Sequence, residues 1–447
     1  LEVTAANIST GALTTGGSQT YTGTTTLNGN LSASAISITG NANLGANTIT
    51  LASTGGGNVS ISGSVTGKND DTGTSFTVNA GAGNVTVGSA TSKISEIALT
   101  GGTISVGKVT TTGKQTYTGT TTLGGGTYIS GGDFEVAGAT LLGAATTVNT
   151  SSNNSNVTFD GTIDSDGQNY NGLEINSGYG TINFNGALGG TRLLNSIVLT
   201  STSSQNDAPT DGQVVFASAA NVKVYEDFSQ NGGRRIALPS SIESEIGDVK
   251  IEGAAYIKAG ASSIKALNDN DGGVVRFFGA ITGNASQLTV NAGSAIEFYG
   301  AYADNASGST LALTAPEITV TDVTTTGAQS YTGTTTRIGG DLTAGSILVD
   351  GNAVLGAQIM LRGMPQINTT TFNTSAANGA ITLKGTLDGG TDNVVMTAGT
   401  GAVEIDGAVT NTTSLTITGG TIALHDVTTT NAQDYTGVTT LNGTYQV

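Results

Sequence analysis

One phrase occurs four times in this chain and limits its fold more than any other feature. It reads Gln19-Thr20-Tyr21-Thr22-Gly23-Thr24-Thr25-Thr26-Leu27, and it returns with small changes from Gln115 to Leu123, from Gln329 to Thr336 and from Gln433 to Leu441. Its tyrosines, Tyr21, Tyr117, Tyr331 and Tyr435, lie 96, 214 and 104 residues apart, the middle gap being about twice the others. Recurrence of this kind marks a stacked array of tandem units of about 100 residues, with one junction blurred. The phrase itself reads as structural. A Tyr with Gly two positions later suits a corner, with the ring packed and the hydroxyl tied to backbone.

Between the copies the chain alternates. Ala35-Ile36-Ser37-Ile38-Thr39, Asn58-Val59-Ser60-Ile61-Ser62, Asn84-Val85-Thr86-Val87 and Gln287-Leu288-Thr289-Val290-Asn291 are short, have period two and end in Gly, Asn or Ala-Gly. That is the pattern of β-strands, and no sustained i, i+3, i+4 apolar pattern competes with it. Many short strands with glycine turns fit either a sandwich array or a solenoid. Strands at intervals of about ten residues, with Val, Ile, Leu and Phe of limited size on one side, favour the solenoid. The expected fold is all-β: a right-handed parallel β-helix with about 20 residues per coil and about five coils per unit. Strands are expected to start near Ile36, Val59, Val85, Ile182, Leu288, Ile381 and Leu415. Outward Thr suits a strand, and Asn ladders can form at the turns.

Composition narrows the function. Of 447 residues 36% are hydrophobic and 11% charged, with a net charge of −17. Disorder needs more charge or long polar tracts, whereas 68 glycines and four prolines indicate tight turns with few rigid breaks. Without cysteine there is neither a disulfide framework nor a thiolate metal site. No apolar run reaches about 18 residues, so no transmembrane helix is expected. A pI near 4.2 argues against nucleic acid, which needs a basic footprint. The first residue is Leu1, which fits a removed leader or a mature piece.

Three segments differ in texture: regular repeats over 1–204, a diverged unit over 205–305 and regular repeats over 306–447. Nine of the 22 Phe and Tyr residues and seven of the 15 basic residues fall in the middle segment. Tyr225 stands where a further copy of the phrase belongs, but Tyr225-Glu226-Asp227-Phe228-Ser229-Gln230 does not match it. Either this unit has a wider core that needs larger side chains, or it carries a binding surface. In the second case Tyr225, Phe228, Arg234, Tyr256, Phe277, Tyr299 and Tyr302 are the glycan-contact candidates, through stacking and pairing with acidic groups. A search for catalysis would begin at Glu226, Asp227, Arg234, Arg235, Glu243 and Glu245, although no catalytic residue is assigned.

Asp-rich turns invite a calcium reading, with Asp164, Asp166, Asp269 and Asp271 as candidates, because alternate Asp and Asn oxygens can supply a compact site. Turn formation alone also accounts for them, since no Glu closes an EF-hand loop. No other cofactor is implied. His425, the single histidine, offers no triad or histidine metal site and reads as a surface residue. Gly55-Gly56-Gly57 and Gly124-Gly125-Gly126 lack the Lys-Ser/Thr of a P-loop.

Thr325-Thr326-Gly327-Ala328-Gln329-Ser330-Tyr331, Gly83-Asn84-Val85-Thr86-Val87, Val78-Asn79-Ala80-Gly81, Val290-Asn291-Ala292-Gly293 and Asn185-Gly186-Ala187-Leu188-Gly189-Gly190-Thr191 resemble the wording of large bacterial secreted surface proteins of the filamentous-haemagglutinin type. The resemblance covers most of the chain outside about 205–270. It implies a parallel β-helix, export from a bacterium to the cell surface, and a role in adhesion, coats or filaments. Neither end reads as a cap, since the chain opens strand-like at Leu1-Glu2-Val3-Thr4 and closes inside a fresh repeat. The expected function is a non-enzymatic extracellular structural protein, self-assembling end to end into a filament or coat. The alternatives are an adhesin segment that binds glycans, or host or cell surfaces, through 205–305 and, further off, a β-helix polysaccharide lyase or hydrolase.

Overall fold

Period-two alternation with Val, Ile and Leu on one side and Thr, Ser and Asn on the other leaves each short strand with one face to bury. The computed structural model describes residues 1–68, 73–167, 169–202, 213–217, 220–258, 260–267, 272–356 and 369–447, and their regular structure is all strand. The strands pair in parallel and build a β-solenoid of about 19 coils at about 21 residues each. Strands begin at or within two residues of all seven expected positions. No helix among the described residues is long and apolar enough to cross a membrane.

A coil has three strand segments, as in Ile36–Thr39, Ala42–Leu44 and Thr48–Ser53. In the next coil Val59–Thr66 bends across one corner, so that Val59 pairs with Ile36 while Val65 pairs with Ala42. Thr74–Asn79 then lies on Thr48–Ser53, with Phe76 opposite Ile49. Inward residues of successive coils meet in register, and Ile36, Val59 and Val85 form one such row. Each is about 1% exposed. Burial of a side chain of this kind stabilises by about 1.5–3 kcal/mol.

Corners are where a parallel stack would strand backbone amides, and Asn and Asp serve them. The carboxyl of Asp133 accepts the N–H of Asn156 at 2.9 Å, and the Asn156 side chain in turn accepts the N–H of Thr181 at 2.8 Å. Asp227, Asp248 and Val274 repeat the relay at 2.8 and 2.9 Å, as do Asp322, Asp341 and Thr371 at 2.8 and 2.7 Å. Each carboxyl or carboxamide thus clamps the coil that follows it. At Gly138, Gly161 and Gly186 the stacked backbones approach so closely that a Cβ would press on the carbonyl of the preceding coil.

Contacts divide the chain into two units. The first comprises Leu1–Tyr225 with Gln230–Arg234, the second Glu226–Ser229 with Arg235–Val447. In the first unit the core carries an aromatic row, Tyr117, Phe134, Phe159, Phe184 and Phe216, with successive ring centroids 5.6, 5.7, 6.0 and 5.0 Å apart. In the second unit Ile251, Phe277 and Phe298 stand in register in one inward row. The described residues of 220–305 therefore continue the three-segment coil, with larger side chains in part of the core.

The Tyr phrase does not count whole coils. In the first unit Gln19 pairs with Ile36, in the row that continues to Val59 and Val85. Gln115 instead pairs with Ile97, in the row of Phe76 and Ile49 on a different face. Copies 96 residues apart thus occupy different faces of the coil, and the phrase behaves as a local motif that fits either.

Candidate functional site

The phrase builds a polar cluster inside an apolar core. The Tyr21, Tyr117 and Tyr331 rings are buried, and each hydroxyl donates to the Oε1 of the Gln two residues before it, at 3.0, 2.9 and 3.0 Å. The hydroxyl is therefore tied to a side chain, not to backbone as expected from the sequence. Each Gln Nε2 donates onward to a Thr four residues earlier: Thr15, Thr111 and Thr325, at 3.2, 3.2 and 3.3 Å. The same Nε2 reaches the following coil through the carbonyls of Ser32, Ile129 and Thr343. Burying Gln and Tyr without such partners would cost several kcal/mol. Tyr435 repeats the bond to Gln433 at 3.0 Å but is only half-buried. The Gly of the phrase is equally determined. Gly119 has a φ of 140°, and a Cβ there would press on the Gly101 carbonyl.

The calcium candidates separate. Asp269 and Asp271 lie outside the described residues. Asp164 is 7% exposed, and its Oδ1 accepts the backbone N–H groups of Thr191 and Arg192 at 2.8 and 3.0 Å. Asp166, two residues on, is exposed. Among the described residues no three His, Cys, Asp or Glu gather in a metal-binding group. His425 is exposed.

The seven glycan-contact candidates do not form one surface. Phe228, Phe277 and Tyr302 are at most 1% exposed and Arg234 is 4% exposed, so four of the seven cannot offer a face to a ligand. The reason is strand parity: Phe277 follows inward Val275 by two residues and takes the same side. Burial pushes the Tyr302 hydroxyl up to about 12. Arg234 donates its Nε to the Thr202 carbonyl at 2.6 Å, and its guanidinium lies 5.6 Å from the Tyr179 ring centre. Tyr225, Tyr256 and Tyr299 are half-exposed. Tyr225 packs against Tyr170, and Tyr256 lies beneath the Arg235 guanidinium, 4.5 Å away.

Tyr299 belongs to an outward row of the second unit that composition alone did not isolate. Lys250, Arg276 and Glu297 stand in register on adjacent strands. Arg276 donates to Glu297 at 2.7 Å and to Asp248 at 3.1 Å. Burial works against its charge, but the Glu297 bond and the neighbouring carboxylates outweigh it and hold its pKa above the usual value. Tyr299 donates to Glu297 at 2.7 Å, and its ring packs on exposed Phe278 with centroids 5.1 Å apart. These charges neutralise one another, so the row fastens neighbouring coils. Asp227, a candidate for catalysis by sequence, is one of the corner clamps.

Asp392 differs from these carboxylates. It is 4% exposed, and Thr370 Oγ1 stands 3.5 Å from its Oδ2. Burial raises its pKa, and the Thr370 bond lowers it only in part. A folded-state pKa above the unfolded value of about 3.9 means the fold favours the neutral acid. Its contribution is present below the unfolded value and is lost as pH rises through the folded one, leaving a cost at neutral pH. Asp392→Asn is therefore expected to raise the unfolding midpoint of the second unit at pH 7, by about 2–4 °C per kcal/mol recovered, and to match the parent near pH 3. Thermal melts at both pH values check this, and an equal rise at both refutes it.

Comparison of the chain with protein-family models, with curated proteins and with solved structures finds no match. The fold defines the class, a parallel β-solenoid.

Proposed function

We propose that the chain is a non-enzymatic structural protein of the bacterial cell surface that associates coil on coil, end to end, into an extracellular filament or coat. The supporting observation is the ladder itself: successive coils pair in parallel and in register, as Gln433–Leu441 does on Ser414–Leu424 and Glu2–Thr10 on Gln19–Leu27, and a parallel edge of this kind accepts a further coil in register. Val438 and Leu441 lie on one such strand. Charged residues make up only 11% of the sequence, and salt at physiological strength screens the repulsion that the net charge of −17 sets up between copies. The extracellular assignment rests on the resemblance of the repeats to secreted surface proteins.

Sedimentation velocity with electron microscopy over rising concentration tests the proposal. The expected result is growth in steps of the 44.2 kDa chain, abolished by Val438→Lys with Leu441→Glu. A chain that stays monomeric at high concentration rules it out. The second reading, a glycan-binding segment, is supported by exposed aromatic rings such as Tyr170 and Tyr179 of the first unit, each 45% exposed.

A further inference from the structure

Two loops of the first unit face each other across a cleft, and core residues fix both. Asp164 and Ser165 lie on the strand Ile163–Ser165, at 7% and 1% exposure. Asp164 holds one loop through the amides of Thr191 and Arg192. Ser165 donates its hydroxyl to the Leu193 carbonyl at 2.7 Å and accepts the Asn171 N–H at 2.9 Å, which ties both loops to one side chain. Asn171 is anchored again, its Nδ2 donating to the Leu142 carbonyl at 2.6 Å. A buried carboxylate and a buried hydroxyl thus set the spacing of the two walls.

The cleft encloses about 340 Å³ and is lined by Gly167, Asn169, Tyr170, Thr191, Arg192 and Leu193, with Ser165 at its base. Tyr170 is 45% exposed and leans on Tyr225, ring centroids 4.7 Å apart at 34°. The Tyr225 amide donates to the Leu194 carbonyl at 2.8 Å, so the supporting ring is held by the same loop that carries Arg192. Arg192 closes one side with a hydrogen bond to the Gly167 carbonyl, which uses one of its five N–H donors.

We propose that this cleft binds a pyranose unit of a polysaccharide. Tyr170, backed by Tyr225, offers an amphipathic ring of the kind that covers an apolar C–H face at low entropic cost. Arg192, the Asn169 carboxamide and the Thr191 hydroxyl supply donors and acceptors to hydroxyl or carboxylate substituents at the ring edge. The volume falls at the lower end of ligand pockets, about 300–1,000 Å³, which suits one sugar unit of a chain that runs on across the surface. Calcium is disfavoured at the same place, because Oδ1 of Asp164 is committed to two amides. The anchors at Asn171 and at Thr191–Leu193 lower the ordering cost that mobile loops incur on binding.

The site is independent of coil-on-coil association, so it is tested in the Val438→Lys, Leu441→Glu background, which separates failure of one idea from failure of the other. The chain has no tryptophan, so tyrosine emission can report on its 12 tyrosines. Titration uses cellohexaose, chitohexaose and hexagalacturonate as neutral, N-acetylated and carboxylated arms. The expected result is saturable binding in at least one arm, weakened about tenfold or more by Tyr170→Ala and by Arg192→Ala and unchanged by Tyr256→Ala. A preference for hexagalacturonate that Arg192→Ala removes would assign the carboxylate to Arg192. No saturation in any arm, or binding indifferent to both cleft substitutions, overturns the proposal.

Discussion

Asp304→Ala is expected to destabilise the second unit by about 3–5 kcal/mol, since it orphans several buried donors at once. Asp304 is fully buried. Its Oδ2 accepts the Ser286 hydroxyl at 2.5 Å and the Ser286 N–H at 2.8 Å, while its Oδ1 accepts the N–H groups of Ala285 and Ala306 at 3.1 Å each. Gly283 leaves the space, since a Cβ there would press on the carboxylate. Burial by itself raises a carboxyl pKa. Here the Ser286 hydroxyl and the amides of Ser286, Ala306 and Ala285 overcome it, and the pKa is lowered. The sign follows directly. With a folded pKa below the unfolded value of about 3.9, the stabilisation is complete above the unfolded value and is lost as pH falls through the folded one. Asp304→Asn keeps the shape and one acceptor but turns an N–H₂ toward the Ser286 donors, so its cost is expected to be about half that of Ala. Denaturant melts from pH 7 to pH 2.5 should show the Asn variant losing less stability than the parent below about pH 4. Parallel pH profiles for the two would refute the carboxylate's role. Asp304 and Asp392 thus give opposite pH responses within one unit, because among the described residues four donors reach one carboxylate and a single distant hydroxyl reaches the other.

The strands were legible because alternation is a local property, and the row of Ile36, Val59 and Val85 needs only period two to be read. The orientation of the aromatic residues was legible by the same rule but was hidden by reading composition alone. Phe277 and Phe278 are neighbours, and parity from Val275 sends the first into the core and the second outward. Phe298 and Tyr299 divide in the same way. Counting aromatic residues over 205–305 therefore merged a wider core with an outer row. The Asn and Asp of the corners were recognised as turn formers. Their partners are amides 19 to 30 residues away, 23 between Asp133 and Asn156, and pairing at that separation depends on coil length. Asp164 looked like half of a calcium turn because its neighbour Asp166 shares its chemistry. Only the fold shows that one points to loop amides and the other to solvent. The cleft at Tyr170 had no local signature, since its walls are about 20 residues apart and Tyr225 a further 30 or so.

The largest effect expected in the first unit concerns the polar cluster of the second phrase. A Thr stands four residues before the Gln in every copy, at Thr15, Thr111, Thr325 and Thr429, a regularity visible in the sequence whose meaning is the hydrogen-bonded chain Thr, Gln, Tyr. Gln115 is fully buried and bonds Tyr117, Thr111 and the Ile129 carbonyl. Gln115→Met conserves length but strands the Tyr117 hydroxyl among Phe134 and its neighbours, at an expected cost of about 2–4 kcal/mol. Tyr117→Phe should cost about 1–2 kcal/mol, because Gln115 keeps its other bonds. The double variant removes both ends of the bond, so its loss should fall short of the sum by about 1 kcal/mol or more. The fourth copy serves as the internal control. Gln433 and Tyr435 make the same bond half-exposed, where water can replace either partner, and Gln433→Met should cost under about 1 kcal/mol. Denaturant unfolding of the four variants, with each unit followed separately because a chain of two units need not unfold in one step, measures the coupling. Strict additivity at Gln115 and Tyr117, or equal losses at Gln115 and Gln433, would show that the phrase is kept for its shape and not for its buried hydrogen bonds.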